Sequence, residues 1–71
     1  MFILTKHVKV RMRERNVKVS DVKTAVLDPE HQETVFGNKI LAARKFSNSK
    51  ILEVIYFKKG NNFVIITAYW L

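Results

Sequence analysis

A single proline divides this chain into two parts with different residue patterns. Pro29 is the only proline among the 71 residues, and a proline keeps the residue before it out of helical geometry. Before Pro29, apolar residues recur at the spacing of a helix, whereas after it short apolar segments are separated by turn residues. No repeat and no linker-like segment interrupts either part. The sequence therefore predicts one α+β domain over residues 1–71, with helices first and strands after.

Two helices are expected in the first part. Thr5 is suited to begin the first helix, and Asn16 can take the left-handed conformation that ends it. Ser20 is suited to begin the second helix, which must end near Asp28. In the first helix the apolar face is formed by Val8 and Met12, which repeat at four-residue spacing after Leu4, and in the second by Val22, Ala25 and Val26.

Four strands are expected after Pro29, because turn residues occur at 37–38, 47–49 and 60–62. The strands are placed near residues 31–36, 39–46, 51–58 and 63–69. Short connections favour a consecutive antiparallel sheet, so the predicted fold is two N-terminal helices packed on a four-stranded antiparallel sheet. The segment Phe63–Trp70 is apolar at seven of eight positions, which predicts cover on both of its faces. Two helices cover only one face, so the second face requires a partner, a symmetry mate or a curled sheet edge.

The charge of the chain favours an anionic partner. There are 13 Lys and Arg against 6 Asp and Glu, a formal net charge of +7, and the middle segment 28–38 is acidic whereas both flanking parts are basic. Such a surface suits nucleic acid, an acidic protein or a membrane surface. The absence of cysteine excludes disulfide scaffolds and thiolate metal sites, and the sequence indicates no other metal or cofactor. With no signal pattern and no apolar run long enough to span a bilayer, a cytoplasmic protein without membrane contact is expected.

A row of cationic side chains is expected on the first helix. His7, Arg11 and Arg15 follow one another at four-residue spacing and so lie on one side of it. The arginines could bind a phosphate, and His7 could exchange a proton near neutral pH. The alternative is an ordinary helix flank that hydrogen-bonds to strand carbonyls or to Glu14. Considered by itself, the row of His7, Arg11 and Arg15 favours the ordinary helix flank.

A second basic cluster is expected where strands end. Arg44–Lys45 and Lys58–Lys59 lie at the ends of neighbouring strands, which would bring them together, with Glu53 as the only acid nearby. Adjacent residues face opposite sides of a sheet, so Arg44 and Lys45 cannot both point at one substrate. One of them is expected to pair with Glu53 or to solvate the sheet edge, and lysines at strand ends also prevent edge-to-edge association.

The two tyrosines are candidates for either chemistry or packing. Tyr56 and Tyr69 fall near strand ends, where a phenol can bind a phosphate, stack on a base or donate a proton. More often such a side chain is half core and half solvated. Phosphate-binding glycine loops and paired carboxylates at catalytic spacing do not occur, so the nucleotide-hydrolase and glycosidase motifs are missing.

The pattern of the first half resembles a known family. Thr5-Lys6-His7, Arg11, the run 15–22 and Asp28-Pro29 resemble the opening H-x-x-x-R-x-x-x-R-g-I-s-x-e-x-V, then n-P, of a family of short, largely uncharacterised bacterial and archaeal proteins. The segments 52–56 and 64–69 are similar to that family's closing strands. The family is usually grouped with the RelE-like and BrnT-like toxins of type II toxin–antitoxin systems.

This resemblance implies a metal-independent endoribonuclease that cleaves messenger RNA, often at the ribosome, and is neutralised by an acidic antitoxin. The ribose 2′-hydroxyl would attack the adjacent phosphorus. By analogy with RelE-type toxins, Arg44 would neutralise the phosphate, with Lys45 as its substitute, and Tyr69 or His7 would handle the proton. Arg11 and Arg15 would hold RNA, and the further candidate RNA contacts are Lys45, Tyr56 and Lys58.

A rival hypothesis explains the same charge without catalysis. A basic RNA- or DNA-binding module, or a small adaptor that pairs its sheet edge with another protein, would bind with steep salt dependence and cleave nothing. A homodimer formed through the sheet is compatible with either hypothesis.

Overall fold

The computed structural model describes all 71 residues, and it shows an α+β fold of two helices and one five-stranded mixed sheet. The elements are β1 Phe2–Ile3, α1 Lys6–Glu14, α2 Val19–Leu27, β2 His31–Phe36, β3 Lys39–Lys45, β4 Ile51–Lys59 and β5 Asn62–Trp70. The α+β class and the four antiparallel strands are confirmed. The prediction of a four-stranded, purely antiparallel sheet is wrong in detail, because the chain start adds a fifth strand, β1, parallel to β5.

The ends of α1 agree with the sequence prediction, and the start of α2 does not. The Thr5 side chain accepts a hydrogen bond from the Val8 amide at 3.2 Å, and Asn16 has the left-handed φ of 57°. In α2 the amides of Asp21 and Val22 both donate to the carbonyl of Lys18. Helical hydrogen bonding therefore begins before Ser20, and the N-cap residue is Lys18, whose side chain makes no capping bond.

The core lies between the helices and one face of the sheet. The predicted apolar faces of α1 and α2 are buried, including Val8 and Met12 of α1. They pack against alternate residues of the central strands, of which Leu52 and Val54 have no exposed area. Burying these side chains against the sheet stabilises two helices of nine residues each, which would be marginal as isolated peptides.

The sheet order is β1-β5-β4-β3-β2, so β4 is central and β2 is an edge strand. The short β1 pairs Phe2 with Phe63 and Ile3 with Val64, and the two phenylalanine rings stack at 4.9 Å between centroids. The remainder of the outer edge of β5 has no strand beside it. A β-bulge interrupts the pairing of β4 with β5 between Ile55 and Tyr56, which increases the local twist.

Candidate functional site

The two faces of the sheet differ in cover. Along β4, Leu52, Val54 and Tyr56 are buried under the helices, whereas Glu53 and Ile55 alternate with them and are only partly buried. Directly opposed residues of neighbouring strands share a face. The side away from both helices is called the open face here. The expectation that two helices leave one face uncovered is confirmed.

A row of polar residues crosses the open face. The register opposes Tyr69 of β5 to Glu53 of β4, Glu53 to Ala43 of β3, and Ala43 to His31 of β2. Opposed Cβ atoms lie about 5 Å apart, so Tyr69 and Glu53 are in reach of each other. The small Ala43 side chain separates Glu53 from His31. His31 is exposed, and its Nε2 lies 3.2 Å from the Glu33 carboxylate.

Arg15 joins this row from the end of α1. Its guanidinium donates to the Thr67 hydroxyl at 3.1 Å and to the carbonyl oxygen of Ala68 at 3.3 Å. Thr67 opposes Ile55 and therefore lies on the open face. Since β1 covers only the beginning of the β5 edge, the Arg15 side chain can cross the uncovered part to reach it. The group Glu53, Tyr69 and Arg15 is called the Glu–Tyr–Arg cluster below.

The ionisation of Tyr69 reflects this neighbourhood. The pKa of Tyr69 is raised above its ordinary value of 10.0, first by a hydrogen bond to the Glu53 carboxylate, then by burial and by the negative charge of Glu53. The positive charge of Arg15 opposes this change in part. The phenol is therefore protonated at neutral pH and available as a donor. The cluster combines a carboxylate that can accept a proton, a phenol that can donate one, and a cation.

His7 and Arg11 lie outside the cluster. Both are exposed on α1, on the same side of the helix as Arg15. Arg11 lies one turn and His7 two turns before Arg15, which corresponds to axial distances of roughly 6 and 12 Å. The three side chains form the row expected from the sequence, but the row is exposed and only Arg15 reaches the sheet. The structure does not bring His7 to Tyr69.

Arg44 has a structural position on the face that the helices cover. It opposes Leu52, and its guanidinium donates to the carbonyl oxygen of Asp28 at 2.8 Å and to its carboxylate at 3.1 Å. Arg44 thus pairs with Asp28 at the end of α2, not with Glu53. It lies on the covered face of the sheet, whereas Tyr69 lies on the open face. Lys45 is the next residue and lies on the opposite side, exposed on the open face.

Tyr56 and Lys58 are also separate from the cluster. Tyr56 is a core residue, its hydroxyl accepts a hydrogen bond from Gln32 at 3.3 Å, and burial raises its pKa. The Lys58 ammonium lies 5.0 Å from the centre of the Phe63 ring. The expectation that Lys58 meets Arg44 is wrong, because antiparallel pairing places Arg44 beside Leu52, roughly 20 Å along β4 from Lys58.

The sequence interpretation missed Glu53 as a site residue. It noted this carboxylate only as a partner for the neighbouring cations. A signal was present: Glu53 is the one acid in residues 39–71 and lies within an apolar strand. An isolated acid in such a strand is costly unless it has a polar partner, and Tyr69 is that partner here.

Most of the cations are unpaired. Of the 13 Lys and Arg side chains only Arg44 forms an ion pair with a carboxylate. No group of three or more His, Asp or Glu side chains is placed to hold a metal ion, and neither helix is long and apolar enough to cross a membrane. The positive charge is therefore available to an external anion.

Comparison with known proteins places the chain in a family. Residues 4–70 match the family described as Domain of unknown function (DUF4258). The chain belongs to this family. No curated protein and no solved structure shows a significant match to it. The DUF4258 match covers both helices, β2 to β5 and every member of the Glu–Tyr–Arg cluster. The family description assigns no activity. A relationship to RelE-like or BrnT-like toxins stays a prediction.

Proposed function

We propose that this protein binds single-stranded RNA across its open face and cleaves it at the Glu–Tyr–Arg cluster, as a toxin-like endoribonuclease acting in the cytoplasm. One observation carries the proposal: the strand register and the reach of Arg15 bring a carboxylate, a phenol and a guanidinium together on an uncovered face. The unpaired cations of the surface would attract the RNA backbone.

The chemistry requires a proton acceptor, a proton donor and a cation at one phosphate. Glu53 would take the proton of the ribose 2′-hydroxyl as its oxygen attacks phosphorus, and the bond from phosphorus to the 5′-oxygen would break. Tyr69 would give its proton to the leaving 5′-oxygen. Arg15 would stabilise the negative charge that develops on the phosphate. The products are a 2′,3′-cyclic phosphate and a 5′-hydroxyl.

Contact between the two proton-transfer groups would also reset the site. After cleavage Glu53 holds the proton taken from the substrate, and Tyr69 lacks the one it gave. A proton transfer from Glu53 to Tyr69, its directly opposed neighbour on β5, would restore both groups without an external carrier. The cluster therefore replaces the sequence-based assignment in several respects. Arg15 takes the role expected of Arg44, and neither His7 nor Arg44 is required for a chemical step.

Partners follow from the rest of the open face. The part of the open face next to the Glu–Tyr–Arg cluster is apolar and partly exposed. It is formed by Leu41, Ile55, Phe57 and Val64. An acidic antitoxin that covered these side chains would also screen the cations and block RNA. Alternatively, a second copy of the protein would cover these apolar side chains in a homodimer formed through the sheet.

A non-catalytic nucleic-acid-binding module is the second candidate. The observation that favours it is the number of unpaired cations, which suffices for binding whether or not the cluster is reactive. Such a module predicts affinity that falls steeply with salt and no change in the RNA.

The test is cleavage of end-labelled RNA by purified protein in EDTA, with and without ribosomes. Glu53→Gln and Tyr69→Phe are each expected to lower the rate about 100-fold, because each removes a proton-transfer group. Glu33→Gln is the matched control, since it makes the same change on the same face, at the β2 edge. Equal activity of Glu53→Gln and wild type would refute the site. Salt-dependent binding without any cleavage would favour the module.

A further inference from the structure

A recess lies at the end of the sheet, next to the Glu–Tyr–Arg cluster. It is a cleft of about 260 Å³ between the turn that follows α1 and the turn that joins β3 to β4. Arg15 and Lys18 line it from the first turn, Asn48 and Lys50 from the second, and Trp70 from the end of β5. Arg15 therefore belongs to both the cluster and the cleft. A ligand in the cleft would lie beside a phosphate held at the cluster.

The charges of the cleft favour an anion. Three of its lining residues are cations, Arg15, Lys18 and Lys50, and none of them pairs with a carboxylate. The Asp21 side chain is the one acid in the lining, so the cleft carries a net charge of about +2 at neutral pH. Phosphate groups are the anions that such clusters of guanidinium and ammonium groups bind well.

Trp70 gives the cleft an aromatic wall of fixed orientation. Its indole N–H donates to the carbonyl oxygen of Asn16 at 3.2 Å, and its ring meets Phe46 edge to face at 5.6 Å between centroids. Both contacts hold the ring in place, and part of it stays accessible. A basic groove combined with a fixed aromatic ring is the combination that binds single-stranded nucleic acid, because the ring stacks on a base and the cations follow the backbone.

The size of the cleft argues for a segment of a strand over an enclosed small molecule. Pockets that bury most of a ligand usually have about 300–1,000 Å³. This cleft is smaller and open on one side, so it would hold one nucleotide of a longer chain. The carboxylate of Asp21 could then accept a hydrogen bond from a ribose hydroxyl or an exocyclic amine of the base.

We propose that the cleft is a nucleotide-binding subsite, in which a base packs against Trp70 and a phosphate contacts Lys18 and Lys50. The position of this subsite next to the scissile phosphate rests on the function proposed above, but binding of a nucleotide in the cleft does not require cleavage. Arg15 bridges the two sites. Only one of its guanidinium nitrogens is used by Thr67 and Ala68, so donors are left for a phosphate.

The test is a titration of the whole protein with adenosine monophosphate, with adenosine and inorganic phosphate as separate arms, at constant ionic strength. Trp70 is the only tryptophan, so the tryptophan fluorescence and the indole N–H resonance both come from a residue that lines the cleft. Adenosine monophosphate is expected to quench the fluorescence and shift the resonance, and to bind at least tenfold more tightly than either fragment. Lys50→Glu is expected to weaken binding at least tenfold.

Lys59→Glu is the matched control, because Lys50 and Lys59 are exposed lysines near opposite ends of β4. An equal loss in both variants would show that only overall charge matters and would overturn the subsite. So would unchanged Trp70 signals, or inorganic phosphate binding as tightly as the nucleotide. The wild-type protein separates the two proposals: if it binds the nucleotide but cleaves no RNA, with or without ribosomes, the proposed reaction is refuted and the subsite stands.

Discussion

Replacing Arg44 by methionine tests whether this side chain is a structural residue. The guanidinium joins the last turn of α2 to β3 through the carbonyl oxygen and the carboxylate of Asp28, at 2.8 and 3.1 Å. Methionine keeps most of the aliphatic stem, so packing along the sheet is largely preserved. The substitution therefore removes the two polar contacts, and an effect on stability is expected even though the side chain lies outside the Glu–Tyr–Arg cluster.

The size of the effect follows from the exposure of the two partners. The Arg44 side chain is only 28% exposed, so its hydrogen bond to the carbonyl is worth about 1.5 kcal/mol, the lower end for a charged donor. The Asp28 side chain is 77% exposed, so the ion pair adds only about 0.5 kcal/mol. Together Arg44→Met is expected to lower the free energy of unfolding by about 2 kcal/mol. In a domain of this size that lowers Tm by roughly 8–16 °C.

Urea and thermal unfolding followed by circular dichroism measure this directly. Lys45→Met is the control, because Lys45 is the next residue, exposed on the other face, and should change stability by less than about 0.5 kcal/mol. Asp28→Asn should cost about 0.5 kcal/mol, since the carbonyl contact survives it. If Arg44→Met unfolds within about 0.3 kcal/mol of wild type, the structural assignment is refuted. If it instead abolishes RNA cleavage while the protein stays folded, Arg44 belongs to the site as the sequence suggested.

Two further predictions concern backbone strain and tyrosine ionisation. Asn16→Ala should lower the free energy of unfolding by about 1 kcal/mol and Asn16→Gly should not, because φ is 57° there; equal stability of all three proteins in urea would contradict this. In Tyr69→Phe, absorbance at 295 nm should show the remaining Tyr56 ionising above pH 10.0, because burial raises its pKa. A raised folded pKa means that stability is fully present below pH 10.0 and falls as the pH rises toward the folded value, so Tyr56→Phe should reduce this alkaline loss. A Tyr56 midpoint at or below 10.0 would show that the phenol is not buried.

The features predicted correctly are those that a few contiguous residues determine. Thr5 caps its own helix, Asn16 ends it, and Pro29 separates the helices from the strands. Turn residues separate the strands in the same local way. Lys18 is the exception, because α2 begins after it without a side-chain capping bond and the capping preference of Ser20 does not set the start of the helix.

The features that were missed depend on long-range pairing. The two residues of β1 carry no strand pattern, and their partners Phe63 and Val64 lie some sixty residues further along the chain. The face that Arg44 occupies depends on which side of the sheet the helices cover. Both sides of β4 are largely apolar, so alternation along the sequence could not decide this.

Long-range pairing also explains why the sequence predicted only some residues of the candidate site. Arg15 and Tyr69 are prominent in the sequence, but they lie far apart along the chain. Their meeting requires α1 to dock along β5, and the contribution of Glu53 requires the register of β4 against β5. Chemistry-bearing residues can be selected from a sequence of this kind, whereas their grouping into a site needs the sheet.

The pairing of β1 with β5 has a consequence for biosynthesis. Translation produces Phe2 and Ile3 before their partners Phe63 and Val64, which are synthesised some sixty residues later. Strand β1 must therefore wait for β5, and the complete sheet can form only after β5 has been synthesised. Contacts of such sequence separation slow folding. Until then the apolar Phe2 side chain has no ring to stack on, and the nascent chain must keep it from other hydrophobic surfaces.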